Sequence, residues 1–402
     1  MKPEQSSATP SRIGFIAVMS LLSMIGPFAI DTYLPAFPAI EAEYGISRAL
    51  LSQSLGAYLI AFAIATLFWG PITDRFGRKK VILSGMFFYL LASLGCALAQ
   101  NHDQFLLFRV IQGAAASGGL VAGRAMIRDV FDAREARQVM SYVMMFFAIA
   151  PAVAPMIGAE LHETFGWRSI FYFLTAFGLI TTLLAMLVTK ETLMIEHRQS
   201  LHPMLVAKVY LDAFKHGRFQ AIIFACGASF GALFLFIAGS PSIIFDFLAL
   251  SAGDFWQLFV PMVLGLMAGS FISAKFCSHQ PAQTMASLAL AIMLISTVIH
   301  VLLATFLAPS LINIVIPMMA YAFGIGIAIP AFTVMALDCF PQNRGTAAAL
   351  QSFMQMMANA IVASIVVPWV NHSLIAFTLA QLGFITVAVL LWLKVVRTPL
   401  NR

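Results

Sequence analysis

GPITDRFGRKK at 70–80 is the stretch on which the reading of this chain turns. It stands between two apolar runs, at about 50–72 and 80–100, and each is close to the ~20 residues that cross a hydrocarbon layer as a helix. Gly70 and Pro71 end the first run, and Asp74 and Arg75 begin the turn. Gly77 frees the backbone, and Arg78, Lys79 and Lys80 open the next run. A tight basic connection between two spanning segments belongs on the cytoplasmic side of a membrane. Asp74 breaks the positive pattern and calls for a partner. Backbone N–H groups at a nearby helix N-terminus suit it, because the helix dipole favours an anion there. Arg78 could pair with Asp129, beyond the fourth apolar run. The plainer alternative is that these charges set topology and gate nothing.

Outward from this loop, comparable runs recur at about 13–36, 104–126, 138–160, 168–189, 219–241, 255–276, 284–307, 311–335, 346–368 and 374–394. Hydrophobic residues make up 61% of the 402 and charged residues 10%, against about 25% charged in a soluble chain. The runs are too long for membrane strands and lack their alternation, so helices are the expected spanners. The expectation is an all-α membrane protein of twelve transmembrane helices. Two six-helix halves, 1–189 and 218–402, flank a central cytoplasmic loop at 190–217. The run from Ile13 is too long for a cleaved signal and reads as a retained first span.

Charge sets the orientation. With the N-terminus inside, 20 of the 23 Lys and Arg residues fall on cytoplasmic segments, the exceptions being Arg48, Arg109 and Arg168. Glu41, Glu43, Asp103, Glu163, Asp246 and Asp254 mark the opposite loops. Both termini are therefore expected in the cytoplasm, in a bacterial inner membrane. The net charge of +6 is spread between apolar runs, so a nucleic-acid partner is not expected. Four cysteines, Cys96, Cys226, Cys277 and Cys339, show no disulfide or metal spacing. No metal or cofactor is expected. Nor does a nucleophile–base set or phosphate loop point to an enzyme.

The halves echo each other. MIRDVF at 126–131 resembles MALDCF at 335–340, and SYVMM at 141–145 parallels SFMQM at 352–356. Such repeats are the mark of carriers whose halves rock about a central site. The 70–80 loop resembles the signature loop of the major facilitator superfamily, G-x-x-x-D-R-x-G-R-[RK]. That resemblance implies the fold of the superfamily. It also makes Gly70, Asp74, Arg75, Gly77, Arg78 and Asp129 parts of a latch holding the cytoplasmic side closed. FRVIQGAAASGG at 108–119 is similar to the superfamily's R-x-x-Q-G pattern, which is associated with proton coupling. Its Arg109 lies about 9 Å inside the outer boundary by helix rise. A guanidinium there is costly unless paired or facing water; snorkelling to the headgroups is the alternative. AIAPAVAPMIGA at 148–159 resembles the antiporter motif, with Ala150, Ala154, Pro155 and Gly158 in its small-residue and proline places. Ala stands for Gly at two of these. The motif implies export, and in either case it packs helices closely.

Asp31, in PFAIDTYLPAFPAI, is the carboxylate set well inside a span, about 15 Å from the outer boundary. Its protonation can follow water access and ligand, as proton coupling with Arg109 requires. The other reading ends the helix early at Pro35 and Pro38 and exposes Asp31 at the surface. This segment, with W-R-x-I-F at 167–171 and K-E-T-L at 190–193, resembles the bicyclomycin and chloramphenicol/florfenicol resistance branch of drug:proton antiporters. The resemblance covers nearly the whole chain, though the second-half counterpart of the signature loop, around 275–283, has decayed. Substrate contacts are expected at Tyr33, Tyr58, Gln112, Phe146, Phe234, Ile237 and Gln355, near the middle of helices that line the cavity in relatives. The implied function is proton-coupled efflux of drug-like or small amphipathic compounds by a monomer. A dedicated metabolite exporter, an importer and a membrane sensor are the alternatives.

Overall fold

A computed structural model describes residues 12–193, 216–276, 280–340 and 344–397. Its first half contains α1 (Arg12–Asp31), a 3-10 turn at Leu34–Ala36, α2 (Phe37–Tyr44), α3 (Arg48–Phe76), α4 (Arg78–Leu98), α5 (His102–Val130), α6 (Ala133–Phe165) and α7 (Arg168–Val188). Its second half contains α8 (Gly217–Pro241), a π-helical segment at Ser242–Phe247, a 3-10 turn at Ala252–Phe255, α9 (Trp256–Phe276), α10 (Ala282–Phe306) and α11 (Leu311–Asp338). There follow α12 (Arg344–Ile361), a second π-helical segment at Val362–Val366, α13 (Val367–Val370) and α14 (Leu374–Arg397). Among the described residues, 12 stretches are long and apolar enough to cross a membrane. Most of the expected central loop, residues 194–215, lies outside the described residues, as do 277–279 of the second-half loop.

The helix ends follow from local chemistry. Ser47 and Asn101 cap α3 and α5 by accepting from Leu50 N at 3.3 Å and Gln104 N at 2.9 Å. The first span departs from the expected 13–36, for it continues to Tyr44. Pro35 and Pro38 each lack an N–H and sit in the first turn of a new helical piece. The prolines therefore break the span after Asp31 without ending it.

Both halves are wired alike. In the first, α3 and α4 pack on α5, α1 packs on α6, and α4 packs on α7. In the second, α9 and α10 pack on α11, α8 packs on α12, and α10 packs on α14. These are the same pairs counted by span, as a duplicated unit requires. Twelve crossings bring the last helix back to the face where α1 begins. We call that the near face, and the one bearing Tyr44 and Arg48 the far face. Contacts between the halves run from α3 to α12 and its π-segment, and from α6 to α9 and the 252–255 turn.

Small residues allow the closest approaches. A Cβ at Gly158 would lie 1.7 Å from the Thr32 carbonyl oxygen, so α6 meets the break in the first span through bare backbone. At Gly383 a Cβ would meet nothing within 4 Å. Gly158→Val should therefore cost about 1–3 kcal/mol or prevent folding. Gly383→Ala should leave the melting temperature of the detergent-solubilised protein unchanged. Size-exclusion profiles after graded heating measure both.

Candidate functional site

Arg109 sits two turns inside α5 and is 0% exposed. Its Nη1 donates to the Ala29 carbonyl at 2.9 Å and to Gln112 Oε1 at 2.6 Å. The guanidinium carbon lies 4.6 Å from the Tyr33 ring centre and 4.5 Å from that of Tyr58, so two aromatic faces sandwich the cation. Gln112 is held in turn by donating to Ser93 Oγ at 2.8 Å. Tyr33 shares a hydrogen bond with Ser54, 3.3 Å away. Each ring contact contributes about 0.5–2 kcal/mol. Dehydrating an ion costs several. The rings alone do not offset that cost, and the carbonyl and amide are needed as well. Snorkelling does not occur: the charge is enclosed.

Asp31 closes α1 and is 3% exposed. The prolines do end the α-helix beside it, yet the chain's continuation through α2 keeps it buried. Its Oδ1 has no hydrogen-bond partner among the described residues, and no ion pair within 4 Å joins it to Arg109. The link is instead through backbone, since Arg109 holds the carbonyl two residues before Asp31. The Tyr58 and Tyr89 hydroxyls and Arg109 Nε and Nη2 likewise find no protein partner. Four helices of the first half thus contribute unused donors and acceptors to one buried cluster. A carboxyl so placed can take or release a proton without breaking a salt bridge. Tyr89 escaped the sequence reading because FFYLL, an aromatic-rich apolar run, carries no polar spacing; only Ser93, one turn later, hints at it.

The small-residue motif of α6 lies against this cluster. Ala150 and Ala154 are 0% exposed, Pro155 is buried, and Gly158 seats on Thr32, next to Asp31. Glu160, two residues beyond Gly158, is exposed.

At the near face, Arg78 Nε donates to Asp129 Oδ2 at 3.0 Å, as expected, and Nη1 pairs with Asp74. Asp74 does not take the helix N-terminus, and that expectation is corrected. Glu191 takes it, its Oε1 accepting from Arg78 N at 2.8 Å and its Oε2 from Lys79 N at 3.2 Å. Asp74 stands one turn before Arg78 and is within reach of its side chain, whereas the α4 amides face the segment after α7. Gly77 makes this possible: its φ of +103° suits glycine, and a Cβ would lie 2.4 Å from Glu191 Oε2. Lys79 Nζ donates to the Met186 and Thr189 carbonyls at 2.8 and 2.6 Å. Thr192 donates to Asp129 Oδ2 at 3.0 Å. K-E-T-L at 190–193 and the 70–80 loop therefore form one fastening. Arg75 lies against the Phe76 ring, and a Cβ at Gly70 would meet open space. Every partner named here belongs to the first half or to the start of the central loop.

Three of the expected substrate contacts are drawn together by Arg109. Tyr33, Tyr58 and Gln112 are fully buried around Arg109. Phe234 and Ile237 are buried in α8, Phe146 is 41% exposed on α6, and Gln355 is half-buried on α12. A separate cavity of about 380 Å³ lies among α8, α12 and α14, lined by Phe224, Met354, Met357, Ala358, Ile361 and Phe384 among others, and includes none of the seven. The 354/357/358/361 spacing, one helix face, was the available signal.

Removing the Glu191 carboxylate should free the amides it caps. Glu191→Ala is expected to speed deuterium exchange at Arg78 and Lys79 by about tenfold, since a charge-assisted hydrogen bond contributes roughly 1.5–3 kcal/mol. Mass spectrometry of the 74–83 peptide reads this, and unchanged exchange would remove Glu191 from the fastening.

Comparison with known proteins follows the same lines. The pattern described as Major Facilitator Superfamily matches residues 19–363. An uncharacterised MFS-type transporter, YdgK of Bacillus subtilis (strain 168), is 34% identical over 88% of this chain and 89% of its own length. A bicyclomycin resistance protein homolog of Haemophilus influenzae is 30% identical, over 88% of each chain. Among solved structures, a bacterial homolog of the human lysosomal transporter Spinster superposes with a TM-score of 0.77 at 14% identity, covering 98% of this chain and 99% of that one, which speaks for the fold. With twelve spans, two like-packed halves and these matches, the chain belongs to the Major Facilitator Superfamily.

Proposed function

We propose that this protein exports drug-like or other small amphipathic compounds in exchange for protons, across a bacterial inner membrane, by alternating access. In this reading the near face is cytoplasmic, as the Lys and Arg bias requires, and the halves 1–189 and 218–402 rock about a site between them. The protein works as a monomer. The observation that carries the reading is Asp31, buried at the break of the first span, with Oδ1 unpaired beside an enclosed Arg109. Drug efflux is supported by the bicyclomycin resistance homolog among its relatives.

The chemistry follows from burial. A carboxylate in a water-poor site favours the neutral form unless a cation or donor faces it. Opened toward the proton-rich side, Asp31 takes a proton. Opened toward the other, it loses the proton and offers a charge to a cationic or hydrogen-bonding compound. Binding and protonation then compete for one group, which is the requirement of exchange. Arg109 holds α1 at the Ala29 carbonyl throughout and keeps the site from collapsing. Gly158 and its neighbours keep α6 close to the same turn. Phe146 and Gln355, the accessible members of the expected set, supply adaptable contact in the path.

Asp31→Asn should abolish exchange. In everted membrane vesicles carrying a proton gradient, uptake of a fluorescent or labelled amphipathic compound is expected to fall at least about tenfold, the loss of a proton-relay group in order of magnitude. Asp31→Glu should keep part of it, at equal protein in the membrane. Wild-type uptake by the Asn variant, still collapsed by a protonophore, would take the coupling role away from Asp31.

A further inference from the structure

We propose that Arg48 is the latch between the two halves at the far face, and that it sets how readily that face opens; the inference rests on the alternating-access reading above. Arg48 is one of the three basic residues that violate the charge bias of the sequence. Arg109 is accounted for by its enclosure, and Arg168 by its bonds to Glu43 and to the Ala99 carbonyl, within its own half. Arg48 alone of the three reaches across. Its Nε and Nη2 donate to the two Glu41 oxygens at 2.8 and 3.3 Å, a fork to a residue of the same half. Its Nη1 turns to the second half, pairing with Asp246 and lying 3.4 Å from Ser242 Oγ.

This geometry divides labour between the two carboxylates. Glu41 and Arg48 side chains are only 17% and 16% exposed, and the bidentate fork pre-orients the guanidinium. Asp246 is 46% exposed and can be released to water. An isolated exposed pair would contribute almost nothing. Arg48 is not such a pair, being shielded and already aimed.

A second contact lies two turns along the same helix. A Cβ at Gly56 would stand 1.7 Å from Ser364 Oγ, so the Ser364 side chain of the second half packs directly on the bare α3 backbone there. The partners in both contacts share a feature. Ser242 and Asp246 lie in one π-helical segment, and Ser364 lies in the other. Such segments are frequent at functional sites, because the wider turn re-aims side chains. Beside them, the 252–255 turn of the second half packs on the 34–36 turn, the stretch immediately after Asp31. Separation at this face therefore breaks the Arg48–Asp246 pair, parts Gly56 from Ser364 and uncovers the chain next to Asp31.

The test measures distance, so it needs no substrate. Spin labels are placed at Ala42→Cys and Ala308→Cys, exposed far-face positions in opposite halves, with Cys277 and Cys339 replaced by Ser. Pulsed dipolar spectroscopy on the full chain in lipid nanodiscs reads the separation. Arg48→Ala should raise the long-distance population by about fivefold or more, the usual floor of a coupling between states. Asp246→Ala, which removes the cross-half partner and leaves the Glu41 fork intact, should shift the distribution equally, and the double variant should shift it no further, a non-additivity that a merely structural role would not give. If Arg48→Ala does not fold, Arg48→Lys keeps the charge, loses the fork and should give an intermediate shift. A parent-like distribution in Arg48→Ala or in Asp246→Ala, or an additive shift in the double variant, overturns the latch. Should pH move the parent distribution in that case, alternating access itself survives. A distance fixed in every variant and at every pH would count against both.

Discussion

The enclosed guanidinium of Arg109 is the constraint to which the first half is fitted. An ion taken out of water must draw compensating partners to itself, here at Nη1 and on both faces of the guanidinium. That requirement brings α1 to it through the Ala29 carbonyl, α3 through Tyr58, and α4 through Ser93 and Gln112. Tyr33 closes the remaining ring face from the break of the first span. The result is a rigid cationic centre beside a carboxyl that stays free. The fixed charge and the unpaired carboxyl oxygen thus stand on different residues, and the first frames the site of the second.

How much of this was legible in the sequence depended on the kind of signal. Spans and their count follow from hydropathy, which is a property of single segments and survives any packing. Arg78 with Asp129 was also readable, because Asp129 ends the fourth span on the same side of the membrane as the 70–80 loop. The error at Asp74 has a geometric cause. Sequence proximity to the helix start suggested Asp74 as the cap, whereas the amides of Arg78 and Lys79 point toward Glu191, some 110 residues away in the chain. A contact of that sequence separation leaves no local trace. The same holds for Gly158: its place in a small-residue motif was visible, but its seat on the Thr32 carbonyl required two helices to be assembled.

The apolar contacts were least legible. With 36 Phe and 22 Met in the chain, their presence on a helix says little about which face meets lipid, a neighbour or a cavity. Tyr33, Tyr58 and Gln112 look from sequence like a pocket lining. Once Arg109 is seen to be enclosed, they become its shell. Polar groups inside a membrane protein are drawn first to the most expensive charge, and what remains is left for ligand.

The two π-helical segments have a consequence for how this family of chains can vary. A π-turn accommodates one residue more than the α-helix around it. Deleting a single residue from 242–247 would let the helix regain its ordinary pitch with the residues beyond it still in phase, while side chains within the segment would be re-aimed by up to about 100° about the axis. Asp246 would leave Arg48 without any change in its own identity. Length at that point, as well as residue type, therefore determines whether the two sides of the far face find each other. An insertion or deletion of one residue there acts as a rotational switch that substitution-based comparison of sequences would not reveal.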